Sequence, residues 1–284
     1  MQGKVCIVTG ATGGIGEVTA RELARKGATV VVISRSETKC RATVDRIRAE
    51  TGNPRVDYLV ADMASQSSVR SVAEAFRAKY DRLDVLVNNA GMYFARRQES
   101  ADGIEMTFAL NHLGYFLLME LLRDLLVASA PARVVNVSSG AHMRGKINFE
   151  DLEGKVKFSG WAAYAQSKLA NILFTAELAR QLAGTGVTAN SLHPGFVASN
   201  FAMNNMEGSR AILRPLFRLM QKFTAISPEE GAQTSLFLAS SPAMEGVTGQ
   251  YFAKSKAVTP SKAAQDRQAA RRLWEISAQM TGQA

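Results

Sequence analysis

The chain is poor in several residue types that would direct it elsewhere. Only two cysteines occur among 284 residues, Cys6 and Cys40. They lie in separate segments, one strand-like and one helical. No disulfide framework is expected, and a reducing compartment, the cytoplasm, fits. Three histidines are present, and His and Cys nowhere cluster with metal-ligand spacing, which predicts no metal centre. No apolar run is as long as a membrane span. No basic-then-apolar leader precedes the first strand pattern. Stable membrane insertion is therefore not expected. The formal charge of +9 raises nucleic acid or anionic surfaces as partners. No long block of lysine and arginine and no nucleic-acid motif accompanies it, so the charge reads as a basic soluble surface without a nucleic-acid partner. Repeats, linkers and composition breaks are also absent, and residues 1–284 read as one domain.

What is present is an alternation of strand and helix patterns. Residues 4–9, 28–34, 55–61, 83–88, 132–138, 187–192 and 249–253 read as strands. The second is a continuous β-branched run typical of a buried parallel strand. Residues 15–26, 39–50, 65–80, 103–129, 160–182 and 227–239 read as helices. This order predicts an α/β fold: a Rossmann-like, doubly wound parallel sheet of about seven strands with helices on both faces. Residues 254–284 read as a polar helical extension with a loose end.

Thr9-Gly10-Ala11-Thr12-Gly13-Gly14-Ile15-Gly16 joins the first strand to the first helix. Glycine at 10, 14 and 16 allows a tight turn and close approach of backbone to a pyrophosphate, which then meets the helix N-terminus. Thr12 and Ile15 lie in the same loop. The end of the second strand selects the cofactor. Here it is Ser34-Arg35-Ser36, and Arg35 suits a ribose 2′-phosphate, with Lys39 able to add a second charge. This favours NADP(H). NAD(H), with Glu37 on the ribose and Arg35 left as a surface residue, is the alternative.

Tyr164 and Lys168 stand four residues apart in a helical run, which puts them on one face. An ammonium beside a phenol favours the phenolate and lowers its pKa, making a tuned acid/base group.

Taken together, these motifs resemble the short-chain dehydrogenase/reductase family over nearly the whole chain. Ala132–Ser139, Gln166–Asn171 and Leu110–Gly114 are most similar to its retinol-dehydrogenase-like branch, as are Lys146–Phe149 with Asp151-Leu152 and Glu230–Ser235. The resemblance implies an oxidoreductase that interconverts an alcohol and an aldehyde or ketone by hydride transfer. It implies Ser139, Tyr164, Lys168 and Asn111 as catalytic residues. Ser139 would bind the carbonyl, Tyr164 would carry the proton, Lys168 would hold the nicotinamide ribose, and Asn111 would position a water. It places Asp62 and Met63 at the adenine and Asn89, Ala90 and Gly91 along the adenosine. Pro194, Gly195 and Val197 would lie around the nicotinamide. Ser138 and Ser139 point to opposite faces of their strand, so only one can serve, and the family pattern selects Ser139.

The interval from Ser139 to Tyr164 is longer than in many family members, and residues 144–159 read as an insertion forming part of the pocket wall. Residues 198–226 read as a substrate lid, with a basic amphipathic helix at 210–223 that packs on the domain, caps an apolar pocket or touches a membrane surface. Phe196 and Phe201 would touch an apolar substrate. His112, His142 and His193 read as structural, with His142 also a candidate substrate contact at the pocket rim. The expected substrate is a lipophilic carbonyl compound or its alcohol. The alternative is a non-catalytic dinucleotide-binding regulator that keeps the fold. The resemblance also implies a homo-oligomer built on two long helices, a contact that the insertion is placed to block.

Overall fold

Val30, Val31, Val32 and Ile33 are all fully buried. A strand exposes alternate side chains to opposite faces, so both faces of this one are covered. The computed structural model, which describes residues 1–195 and 226–283, shows by what. The strands are β1 (Val5–Thr9), β2 (Thr29–Ser34), β3 (Val56–Val60), β4 (Val85–Asn88), β5 (Ala132–Val137), β6 (Val187–His193), β7 (Tyr251–Ala253) and β8 (Lys256–Ala257). They form one sheet in the order β3-β2-β1-β4-β5-β6-β7-β8. The first seven are parallel, and β8 returns antiparallel to β7.

The helices are α1 (Gly14–Arg25), α2 (Glu37–Thr51), α3 (Gln66–Lys79), α5 (Arg123–Ala128), α6 (Gly160–Gln181), α7 (Pro228–Ser240) and α8 (Arg267–Met280), with α4 lying between α3 and α5 in three stretches. These are Met106–Phe108, a π turn at Ala109–Leu113, and Gly114–Leu121. Apolar residues of α1, α2 and α7 cover one face of the sheet, and those of α3, α4 and α6 cover the other. No helix among the described residues is long and apolar enough to cross a membrane.

Three details differ from the sequence reading. The middle helix is not one element over 103–129. Glu105 caps it by accepting from Thr107 N (2.9 Å) and Phe108 N (2.8 Å), so it starts at Met106. The π turn then shifts its register and a break at Leu122 separates α5. β8 was not foreseen, because its turn, Lys254 (φ 49°) and Ser255 (φ 57°), uses residues that seldom signal a positive-φ hairpin. The C-terminal segment is docked rather than loose. Trp274 packs on Phe116 (4.9 Å) and Phe174 (5.7 Å). Gln66 Nε2 donates to Met280 O at 2.8 Å, and Arg70 donates to Thr281 O. Its polar composition hid a narrow apolar stripe.

Candidate active site

The order of strands reverses at β1 and β4, where the connections leave in opposite directions and open a crevice at the carboxyl ends. The glycine turn lies on its floor. Gly10 adopts φ +65°, and a Cβ there would stand 2.7 Å from Ala90 Cα. A Cβ on Gly16 would stand 2.5 Å from Asn89 Nδ2 and 2.6 Å from Gly10 O. These two glycines let α1 and the turn after β4 press together. Asn89 completes the join, donating through Nδ2 to Thr9 O (2.9 Å). Thr9 Oγ1 accepts from Asn89 N and Ala90 N. Gly13 and Gly14 face open space instead.

The start of α1 has no side-chain cap. By contrast, α2, α3, α6, α7 and α8 are capped by Ser36, Ser65, Ser159, Ser227 and Asp266. The first-turn N–H groups of α1 are therefore left for another acceptor. Thr12 Oγ1 lies 3.1 Å from Ser34 Oγ and ties the loop to the end of β2. Arg35 and Lys39 are exposed just beyond that end, and Ile15 is half-buried in α1. Glu37 is engaged by Arg41 (3.3 Å) and by the Tyr58 hydroxyl (3.3 Å). Asp62 is exposed, and its carboxylate accepts from Ala64 N (3.0 Å). Met63 is buried, with its carbonyl against Gly114. An open, uncapped glycine turn flanked by two exposed cations fits the phosphates of a dinucleotide.

At the other end of the crevice the structure brings together Ser139, Tyr164, Lys168, Asn111 and Gly91. The Ser139 hydroxyl hydrogen-bonds the Tyr164 phenol and accepts from Ala141 N at 3.2 Å. Ser138 is buried, and its hydroxyl donates to Lys168 O at 2.6 Å. Adjacent serines thus divide, one facing the crevice and one pinning α6. Lys168 Nζ donates to Val137 O (3.2 Å) and lies 5.7 Å from the centre of the Tyr164 ring and 5.9 Å from that of Tyr115. A Cβ on Gly91 would stand 3.1 Å from Lys168 Nζ and 3.2 Å from Asn111 Oδ1. Asn111 fastens the loop after β4: Oδ1 accepts from Met92 N (2.8 Å), and Nδ2 donates to Met92 O and Ser167 Oγ, each at 3.0 Å.

Burial sets the electrostatics. It pushes Tyr164 up to about 12, against a smaller opposite pull from the Ser139 hydrogen bond. It pushes Lys168 down to about 7. The expected lowering of the phenol by the ammonium does not dominate, because both groups are shut away from water and each charged form is penalised.

His142 is inside the protein rather than at a rim. Its Nδ1 lies 2.8 Å from Ser139 O, its Nε2 accepts from Ser261 N (3.3 Å), and its ring meets Tyr251 at 4.9 Å. Those contacts speak against substrate contact. Pro194 and Gly195 follow β6, and Gly195 N donates to His193 Nδ1 at 3.2 Å. Phe196, Val197, Phe201 and the basic segment 210–223 lie outside the described residues, as does nearly all of the expected lid 198–226.

Several site residues carry no sequence signal. Tyr93 and Trp161 flank Tyr164, each with ring centres 6.2 Å away, and Trp161 is half exposed. Gln166 holds the insertion against α6, accepting from Asn148 N and donating to Leu152 O, both at 2.8 Å. Only the tertiary fold brings these loops to the catalytic helix. Gln166, Asn148 and Leu152, unlike Tyr93 and Trp161, lie in segments that carry the family resemblance, but nothing local ties them to one another.

Residues 4–210 match the family model for short chain dehydrogenases. Retinol dehydrogenase 12 of Mus musculus is 45% identical over 280 residues, covering 99% of this chain and 87% of that protein. Retinol dehydrogenase 14 of Homo sapiens is 43% identical over 295 residues, with the same coverage of each. Among solved structures, an uncharacterized protein from Mycobacterium paratuberculosis aligns with a TM-score of 0.79 and 34% identity, covering 99% of this chain and 94% of that one. The Pseudomonas aeruginosa RhlG/NADP complex aligns with a TM-score of 0.70 and 29% identity, covering 89% and 94%. This chain belongs to the short-chain dehydrogenase/reductase family, in its retinol-dehydrogenase-like part, and is an oxidoreductase that interconverts carbonyl and CH–OH groups with a nicotinamide dinucleotide.

Proposed function

We propose that the chain is an NADP(H)-dependent oxidoreductase of lipophilic aldehydes, ketones or the corresponding alcohols, with Tyr164 carrying the proton. The observation that carries this reading is the Ser139–Tyr164 hydrogen bond beside Lys168, across the crevice from the uncapped end of α1. Preference for the 2′-phosphate is supported by exposed Arg35 and Lys39, and by Glu37 being engaged with Arg41 and Tyr58. A lipophilic substrate is supported by Tyr93 and Trp161 beside Tyr164, and by relatives named for retinol.

The bound dinucleotide supplies the hydride in reduction and takes it up in oxidation. The residues supply orientation and the proton. Ser139 and Tyr164 donate hydrogen bonds to the substrate oxygen, where negative charge develops during reduction. A phenol held up at about 12 keeps its proton at neutral pH, and so enters reduction as the acid. The proton moves from Tyr164 Oη to the alkoxide oxygen, and a CH–OH group results. Lys168, titrating near 7, is poised to return a proton to the site, and would hold the nicotinamide ribose hydroxyls. Asn111 keeps the loop of Gly91 and Met92 in place.

NADPH oxidation measured over aldehydes and ketones graded by chain length and ring content tests the reading. Turnover should favour the longer, apolar compounds. Tyr164→Phe should lower kcat by about 10²- to 10⁴-fold, with NADPH affinity nearly unchanged. Full turnover in that variant would refute the assignment of the proton carrier.

A further inference from the structure

Behind the catalytic group a buried polar chain links Asn111 to the C-terminal helix. Asn171 Nδ2 donates to Asn111 O (2.9 Å) and to Val137 O (3.3 Å). Val137 O is the same carbonyl to which Lys168 Nζ donates. Asn171 Oδ1 lies 3.4 Å from His112 Nδ1, and His112 Nε2 lies 2.8 Å from Ser277 Oγ on α8. Asn111, His112, Asn171 and Ser277 are all buried from solvent. Asn111 and His112 occupy the π turn of α4, a form frequent at functional sites.

Donor and acceptor chemistry determines the protonation of this chain. The carbonyls of Asn111 and Val137 only accept, so the Asn171 amide must turn its NH₂ to them and its oxygen to His112. An oxygen there calls for N–H on His112 Nδ1. Burial lowers His112 to about 4, so near neutral pH the ring holds a single proton, on Nδ1. Nε2 is then a bare acceptor. Ser277 Oγ lies between His112 Nε2 and Leu273 O (2.7 Å) and has one proton to give. Leu273 O, the acceptor of that hydroxyl at 2.7 Å, also has the helical N–H of Ser277, so the proton is free to turn to the imidazole nitrogen, which has no other donor.

We propose that His112 is a positioning residue of the oxidoreductase site. The Ser277 hydroxyl of α8 holds it in the Nδ1–H form. Through Asn171 it fixes Val137 O, the carbonyl to which Lys168 donates, and the backbone of Asn111, whose side chain holds the Met92 loop. The C-terminal helix thereby becomes part of the machinery that orients Lys168. The inference rests on the roles proposed above for Tyr164 and Lys168.

Two measurements on the full chain test it. The ¹⁵N resonances of the imidazoles, with His112 identified from the His112→Gln spectrum, should show a protonated Nδ1 and a bare Nε2 on His112 near neutral pH. A His112 ring protonated on Nε2 overturns the proposal whether or not the enzyme turns over. In steady-state carbonyl reduction, His112→Leu should lower kcat about tenfold or more, while KM and NADPH affinity stay within about twofold. His112→Gln, whose amide donates to Asn171 and accepts from Ser277, should restore most of the rate. Should His112→Leu fail to fold, Ser277→Ala against Ser277→Thr makes the same comparison, with loss expected only in the alanine variant. Equal loss in both members of a pair, or loss in neither, overturns the proposal. An inactive parent refutes the roles of Tyr164 and Lys168, whereas an active parent with the Nε2–H ring refutes only the role of His112.

Discussion

At the residue scale, position relative to water decides chemistry more than residue type does. Lys168 and Tyr164 are ordinary helix residues by composition, yet burial draws their pKa values far from the usual range. Ser138 and Ser139 are chemically identical neighbours, and strand alternation sends one hydroxyl to Lys168 O and the other to the phenol. Arg35 is the residue on which the proposed preference for NADP(H) turns. Its guanidinium is exposed at the end of β2, and Glu37 nearby is held by Arg41 and Tyr58. A charge-assisted hydrogen bond is worth about 1.5–3 kcal/mol. Arg35→Asp should therefore reduce the preference for NADPH over NADH by about tenfold or more. The ratio of kcat/KM for the two cofactors measures it, and an unchanged ratio rules the assignment out.

At the element scale, the sequence was most readable where a single periodicity ran uninterrupted. The β-branched run of β2, the capped helices α2, α3, α6 and α7, and the glycine turn before α1 were all legible. Their signals are local: a continuous β-branched run, helical spacing, a glycine where the backbone needs one. Less legible were α4, whose π turn changes the periodicity midway, and the β7–β8 hairpin, whose turn is built from Lys254 and Ser255. The missing cap of α1 yields a prediction at this scale. Gly13 is extended (φ 174°), and a Cβ there meets nothing within 4 Å. An aspartate in place of a glycine N-cap stabilises a helix by only about a few tenths of a kcal/mol, but its carboxylate would occupy the N–H groups and repel a phosphate. Gly13→Asp should leave the thermal midpoint equal or higher without cofactor, yet weaken NADPH binding by about tenfold or more. Binding unchanged in that variant would show that the phosphates do not sit there.

At the scale of the whole molecule, titration of the buried groups should shape stability. Lys168 titrates at about 7 when folded, against 10.5 for a lysine free in water. The unfolded chain therefore binds the extra proton between those values, and stability rises with pH across that window. His112 acts in the same direction between about 4 and 6.5. Tyr164 acts oppositely: its folded value of about 12 exceeds the ordinary 10.0, so stability is lost as pH rises through that range. The thermal midpoint of the cofactor-free protein should climb from acid to about pH 9–10 and fall beyond. Lys168→Met should be more stable than the parent at pH 6, by an amount on the order of a few kcal/mol, and nearly equal to it at pH 10. A constant difference across that range would contradict the burial of a charged Lys168.

By itself the sequence determined the alternation of strands and helices, the parallel sheet and the two motifs read as a dinucleotide turn and an acid/base pair, because turn glycines, β-branched runs and helical spacing are properties of neighbouring residues. It also carried the family resemblance, since those motifs are short and contiguous. The tertiary structure alone decided that burial dominates the Tyr164 phenol, that Tyr93 and Trp161 flank it, and that α8 reaches Asn111 through His112 and Asn171. Each of these depends on residues far apart in the chain meeting in a space from which water is excluded, and no local pattern encodes the dielectric of such a space or the partners found in it.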